Sequence, residues 1–285
     1  MRYNTHYEDR KKTIGHHINL GIFVLLCIVN LTPFVWGLIT SLKTEREVLQ
    51  YPPKFLFFTP SLEHYITIFE NNFFHSVLVT LGYSACAIVI GVTFGLMAAY
   101  AMKRYNFFGK KALFFAILCG IPLSIGSAAM VIPNYVYFST VGLIDRWYTL
   151  VIINMAYHMP MCTWIIMSGI EGIPIEIEES MALDGASKPY IIFRMIPSLC
   201  SPSIASAALF IFIGTWNEYV SASVIVNSNA YRPIQVSIYN YLGFFGREWG
   251  PLTAAATAAV LPSLIIFAIL GKYLISGLTQ GAVKG

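Results

Sequence analysis

Charge is scarce in this 285-residue chain: Asp, Glu, Lys and Arg together make up 11%, against 56% hydrophobic residues. A soluble domain carries about 25% charged residues, so this composition excludes one. Cysteine is scarce as well. Five are present (Cys27, Cys86, Cys119, Cys162, Cys200), an odd number without paired spacing, which argues against a disulfide framework or a metal site. The six histidines fall into no ligand pattern, and no metal is expected. A Gly-x-x-x-x-Gly-Lys-Ser/Thr phosphate loop is missing: Gly109-Lys110 has Arg104 where the upstream glycine belongs and is followed by Lys111. No His/Asp/Glu or Ser/His constellation supports a membrane-embedded enzyme, so no catalytic residue is assigned.

What the chain has instead is long apolar runs, and a mean hydropathy of +0.65. Six are long enough to cross a hydrocarbon core of about 30 Å, near 18–40, 77–102, 112–133, 150–170, 204–226 and 252–275. The first follows a basic head and is too long for a signal peptide, which predicts a retained anchor. The expected fold is an all-α polytopic membrane protein of six transmembrane helices, filling 1–285 as one membrane domain. Placing both termini inside puts twelve of the eighteen basic residues there: Arg2, Arg10, Lys11, Lys12, Lys103, Arg104, Lys110, Lys111, Lys188, Arg194, Lys272 and Lys284. The positive-inside rule therefore predicts cytoplasmic termini. That asymmetry accounts for the net charge of +4, and nucleic acid is not needed as a partner.

A polar interruption stands out at 171–197, between the fourth and fifth runs. Four of the fourteen acidic residues fall within its first nine positions: Glu171, Glu176, Glu178 and Glu179. Pro174 suits a first helical turn, and early glutamates suit its positive end. Gly185 then permits a sharp turn before a second short helical run to Arg194. By the orientation above, this helix–Gly–helix hairpin is cytoplasmic and offers a surface to a soluble partner.

Elsewhere, Ala87, Gly91, Gly95 and Ala99 recur every four residues, a seam that lets another helix approach closely. Pro122 and Pro262 predict kinks in the third and sixth runs. Asn217 and Glu218 are substrate-path candidates: Glu218 lies roughly 21 Å along the fifth run at about 1.5 Å per residue. A buried carboxylate there fits either a solute contact or a helix–helix hydrogen bond. The outer loop at 41–73 is rich in proline and aromatics. That at 227–251 carries Tyr231, Arg232, Tyr239, Tyr241, Phe244, Phe245 and Trp249. Interfacial anchoring and contact with an external partner fit these aromatics equally.

The hairpin resembles the signature of permease subunits in ABC importers, Glu-Ala-Ala, three residues, Gly, nine residues, then Ile-x-Leu-Pro. Glu179-Ser180-Met181 stand for the triplet, Gly185 has the required spacing, and Met195-Ile196-Pro197 close it one residue early. Further matches point to the carbohydrate-uptake branch, and within it to the maltose-type second permease subunit. They are Ser41-Leu42-Lys43 with Glu47 and Pro52-Pro53, Ala98-Ala99-Tyr100-Ala101 with Arg104, Gly109-Lys110 and Trp216-Asn217-Glu218. Trp249-Gly250, Ala254-Ala255 with Pro262, Gly277-Leu278-Thr279 and 281–285 complete the set.

This resemblance implies a bacterial or archaeal inner-membrane subunit that forms half of a sugar or oligosaccharide path. It implies a second permease subunit, two cytoplasmic ATPase subunits that bind ATP and Mg, and an extracytoplasmic solute-binding protein. Ile177, Met181 and Leu183 would give apolar contacts to the ATPase, and Glu178 and Glu179 would meet its basic groups. Ala182, Asp184, Gly185 and Ala186 complete the coupling set. Tyr231, Arg232, Tyr239 and Tyr241 become candidates for the binding-protein contact. An ion-gradient-driven secondary transporter is the rival reading, though it wants an intramembrane relay and Glu218 stands almost alone.

Overall fold

Three helices with small residues on their facing sides build the core that positions the hairpin. The computed structural model describes residues 3–55, 57–124, 127–243 and 248–282. Arg2, Phe244, Phe245, Val283, Lys284 and Gly285, named or spanned above, lie outside them. In chain order the helices are α1 (Tyr3–Ser41), α2 (Glu45–Val48), α3 (Glu63–Glu70), α4 (Phe73–Arg104), α5 (Lys110–Gly120), α6 (Val131–Thr140) and α7 (Trp147–Glu171). There follow α8 (Ile175–Leu183), α9 (Lys188–Tyr190), α10 (Ile196–Leu199), α11 (Ser201–Trp216), α12 (Val220–Ile225), α13 (Ile234–Tyr239) and α14 (Trp249–Ala282). The chain divides into two compact units, 1–71 with 241–258, and 72–240 with 259–285.

Among the described residues, four helices are long and apolar enough to span a membrane: Asn19–Ser41 within α1, α4, α7, and Trp249–Gly271 within α14. A fifth is counted if Lys188–Leu199 and α11, bent by 87°, form one span. The predicted third run is segmented. α5 stops at Gly120, a 3₁₀ turn holds Pro122, and helix resumes at Val131. Proline has no N–H to continue the ladder, so helix pairing fails there although hydropathy stays high. In the predicted fifth run α11 ends at Trp216, leaving Glu218 in the break before α12 rather than inside a helix. Pro262, by contrast, lies inside the continuous helix α14.

In the second unit the small-residue seam of α4 packs as expected. Ala87 and Ala99 are fully buried. A Cβ on Gly91 would sit 2.8 Å from Ile211 Cδ1, and one on Gly95 2.9 Å from Cys162 Sγ. The buried faces of α4, α7 and α11 meet there, with Leu96, Ile166, Ile170 and Ala207 in one cluster. Lipid tails are as apolar as leucine, so close contact rather than water exclusion holds such helices together. A second cluster joins Tyr83, Phe138, Leu150, Ile153 and Ile225. Beside it Asp145, at φ 59°, ties two loops. Its Oδ1 accepts the N–H groups of Asn227 (3.0 Å) and Ser228 (2.9 Å) and the Ser228 hydroxyl (3.0 Å).

In the first unit, Ser41 bonds the Tyr65 hydroxyl at 2.8 Å, and Ser61 donates its N–H to the Leu42 carbonyl. Lys43 is buried with its ammonium 4.5 Å from the Trp36 ring centre. Burial pushes its pKa down, and Glu47 partly opposes this.

Gly95→Ala is expected to destabilise the subunit by about 1–3 kcal/mol through overpacking against Cys162, and Cys162→Ala should recover most of the loss. Thermal unfolding of the four detergent-purified proteins checks this. The Ser228 N–H foremost holds the Asp145 carboxyl below its usual range, against the opposing effect of burial. A carboxylate with a depressed folded pKa contributes stability that is full above the unfolded value of about 3.9 and lost as pH falls through the folded one. Asp145→Asn should therefore be less stable than the wild type at neutral pH. The gap should narrow below about pH 4, read from melting curves across pH.

Candidate functional site

The hairpin at 171–197 is set by its ends. α7 stops at Glu171, and Pro174 precedes α8, whose first turn carries Glu176 and Glu178. α8 ends in a Schellman motif: the Ala186 N–H donates to the Met181 carbonyl at 3.0 Å, and the Gly185 N–H to the Ala182 carbonyl at 3.1 Å. Gly185 sits at φ +86°, where a side chain is strained, so the glycine is what makes the reversal possible. Beyond it come α9, a π-helical turn at Ile191–Met195, and α10, whose buried Ile191, Met195 and Ile196 join the α4–α7–α11 core.

The two sides of the hairpin have different surroundings. Leu183 is 90% exposed and Ile177 39%, and Glu179, Ala182, Asp184 and Gly185 are exposed as well. Met181 and Ala186, by contrast, pack partly buried against the subunit's own core. Glu178 also turns inward, contrary to its expected place on the partner-facing surface. Its Oε1 lies 2.6 Å from Arg104 Nε, and its Oε2 accepts the Tyr100 hydroxyl at 2.9 Å. Only 8% of the Glu178 side chain and 13% of Arg104's are exposed. Arg104 Nη2 also donates to the Ile173 carbonyl at 2.8 Å, at the bend between α7 and α8. Next to it, Lys103 and Glu171 pair at 2.9 Å nearer the surface. The last turn of α4 thus grips the hairpin at its root. A buried charge is stabilised there only while its partner is present, and removing one partner of such a pair costs about 3–5 kcal/mol.

Sequence reasoning named Tyr100, Arg104 and Glu178 separately and did not join them. The available signal was the basic end of α4 beside the acidic start of α8, two clusters of opposite sign on the side predicted to be cytoplasmic.

The other candidates lie apart from the hairpin. Asn217 is exposed, and its Nδ2 donates to the Ile213 carbonyl at 2.8 Å at the end of α11. Glu218 Oε1 accepts the Ser221 N–H at 2.6 Å and so caps α12. Gln235 Nε2 donates to the Trp216 carbonyl at 3.1 Å across the same break. Tyr239 is exposed and stacks on Tyr219 with ring centres 4.3 Å apart. Tyr231 and Arg232 are half-buried, and the Tyr231 carbonyl accepts the Tyr83 hydroxyl at 2.8 Å. Tyr241 is corrected: it is buried and hydrogen-bonded to Asn71, so its ring is not available as an outer contact. Being aromatic and in a loop did not distinguish an exposed tyrosine from a buried one.

Residues 91–280 match the family described as the binding-protein-dependent transport system inner membrane component. The trehalose transport system permease protein SugB of Mycobacterium tuberculosis is 30% identical over 258 residues, covering 90% of this chain and 93% of that one. The sulfoquinovosyl glycerol transport system permease protein SmoH of Agrobacterium fabrum is 29% identical over 266 residues, covering 92% and 91%. A solved bacterial ABC transporter that imports the acidic polysaccharide alginate superposes with a TM-score of 0.76 at 21% identity, over 94% of this chain and 98% of that one. That likeness speaks for the fold. The chain is a multi-pass inner-membrane protein and belongs to the family of binding-protein-dependent transport system inner-membrane components.

Proposed function

We propose that this chain forms one half of the membrane path of an importer for a sugar or oligosaccharide, with its 171–197 hairpin seated on a cytoplasmic ATPase. The observation that carries this reading is the two-sided hairpin. It is rooted by the buried Arg104–Glu178 pair, while Ile177, Glu179, Leu183 and Asp184 are free for a partner. Glycoside-type compounds enter through the names of its relatives, which transport trehalose and sulfoquinovosyl glycerol.

Six membrane crossings are part of the proposal: α1, α4, α7, the apolar part of α14, the bent helix ending in α11, and the segmented stretch at 110–140. Both termini and the hairpin are assigned to the cytoplasm, since that arrangement puts most lysines and arginines inside. The path would be completed by a second permease subunit. Two ATPase subunits would bind ATP and Mg, and an extracytoplasmic solute-binding protein would deliver the substrate. ATP closure of the ATPase pair would push the hairpin, and the Arg104–Glu178 root would pass that displacement into α4. The ion-gradient alternative has no support from the family, and the Glu218 carboxylate it would need caps α12.

The test is ATP-driven uptake by the complete complex in liposomes. Arg104→Ala and Glu178→Gln each leave a buried group without its partner, at a cost of about 3–5 kcal/mol for the uncompensated charge, and each should cut import at least about tenfold. The Arg104→Glu, Glu178→Arg exchange should recover part of it. Wild-type import by both single variants, or uptake that persists without ATP and collapses with an uncoupler, would contradict the reading.

A further inference from the structure

The first unit contains a cavity of about 310 Å³ lined by Glu45, Glu63, His64, Thr67, Glu248 and Pro251. It is unusually one-sided in charge: three glutamates line it, and the described lining includes no lysine or arginine. His64 supplies a second and independent sign that something is missing. Its side chain is 4% exposed, and its Nε2 is buried without a hydrogen-bond partner. That nitrogen lies 3.7 Å from Glu63 Oε1 and 3.9 Å from Glu45 Oε2, too far for a hydrogen bond to either.

The walls are fixed in place. Glu63 Oε1 accepts the Glu45 N–H at 2.9 Å, which joins the start of α2 to the start of α3. The Glu248 N–H donates to the Tyr241 carbonyl at 3.1 Å. The His64 imidazole lies against Gly250, where any side chain would collide with the ring. Glycine is needed at 250 because it makes room for the histidine.

Such a lining calls for a cation carrying several N–H donors. Metal ions are a poor fit, because no three His, Cys, Asp or Glu groups among the described residues converge closely enough to hold one. A guanidinium fits on both counts. Its planar fork can give paired hydrogen bonds to a carboxylate with further N–H groups left to face the unpartnered His64 Nε2. A volume of about 310 Å³ admits the group with part of its stem.

We infer that this cavity is a docking socket for an arginine side chain of the extracytoplasmic solute-binding protein. The inference rests on the importer reading above, which puts 41–73 on the outer face. It adds to that reading the position and the chemistry of one contact. Charge complementarity selects the occupant: three carboxylates in one depression repel one another until a cation enters, and that repulsion steers a basic protein surface toward the membrane. The carboxylates of Glu45 and Glu63 are about half exposed, so the socket is open to a macromolecular partner.

The experiment uses the complete transporter in lipid nanodiscs and its purified solute-binding protein. Glu45→Gln with Glu248→Gln changes two charges at exposed positions and leaves the Glu63 bond to α2 intact. Affinity for the binding protein should fall at least about tenfold at low salt, with a weaker salt dependence than the wild type. ATPase subunits should stay bound and basal ATP hydrolysis should be unchanged. Arginines on the binding protein's docking face are then changed to alanine one at a time. One of them should weaken binding to the wild-type transporter and have no further effect on the double variant, since both changes remove one pair. Affinity within about twofold of wild type in Glu45→Gln/Glu248→Gln, or losses that add for every arginine, overturns the socket. The importer reading fails separately, if no ATPase copurifies with the wild-type chain.

Discussion

A buried ion pair between Arg104 and Glu178 fixes how the 171–197 hairpin is held. In water such a pair would be worth little, because solvent competes for both charges. Here each charge has lost most of its hydration and depends on the other. The Tyr100 hydroxyl satisfies the second carboxylate oxygen, and the Ile173 carbonyl takes an arginine N–H. The pair thus orients α8 against the end of α4 and pins the preceding bend. With the hairpin's inner residues packed into the α4–α7–α11 core, it follows that α8 and α4 move together.

The rest of the second unit is consistent with that stiffness. α4 is in contact with α7 and α11 along small residues, and the added Cβ atoms considered above would strike side chains of both neighbours. Close packing leaves little room for α4 to slide without moving the others. Displacement of the hairpin by a partner therefore acts on a block of helices. Outward-facing Leu183 and Ile177, next to Glu179 and Asp184, combine apolar area with charge, as expected of an interface that forms with a soluble protein.

Much of this arrangement was legible in the sequence because its causes are local. Four-residue spacing of Ala87, Gly91, Gly95 and Ala99 marks a close-packed face whatever the partner helix. Gly185 marks a reversal because few other residues accept its backbone angles. Hydropathy does not encode where a helix breaks. Gly120, Ile121 and Pro122 are apolar enough to continue a span, yet the proline ends the helix ladder. The 204–226 run stays largely apolar on both sides of Asn217 and Glu218, yet its helix stops at Trp216. The root of the hairpin stayed hidden for another reason: its two charges are 74 residues apart, and only the fold brings them together. The hydrogen bond of Tyr241 to Asn71 likewise joins residues far apart in sequence.

Spin labels at Met97 and Leu183, both exposed in this subunit, give a direct reading of whether hairpin and α4 form one body. Double electron–electron resonance on the assembled transporter, in a background with the native cysteines replaced, would compare nucleotide-free and ATP-trapped states. An unchanged distance distribution between the two labels, while distances from Leu183 to the opposite permease subunit shift, is the predicted result. A nucleotide-dependent change between Met97 and Leu183 would mean that the root yields, and would contradict the account.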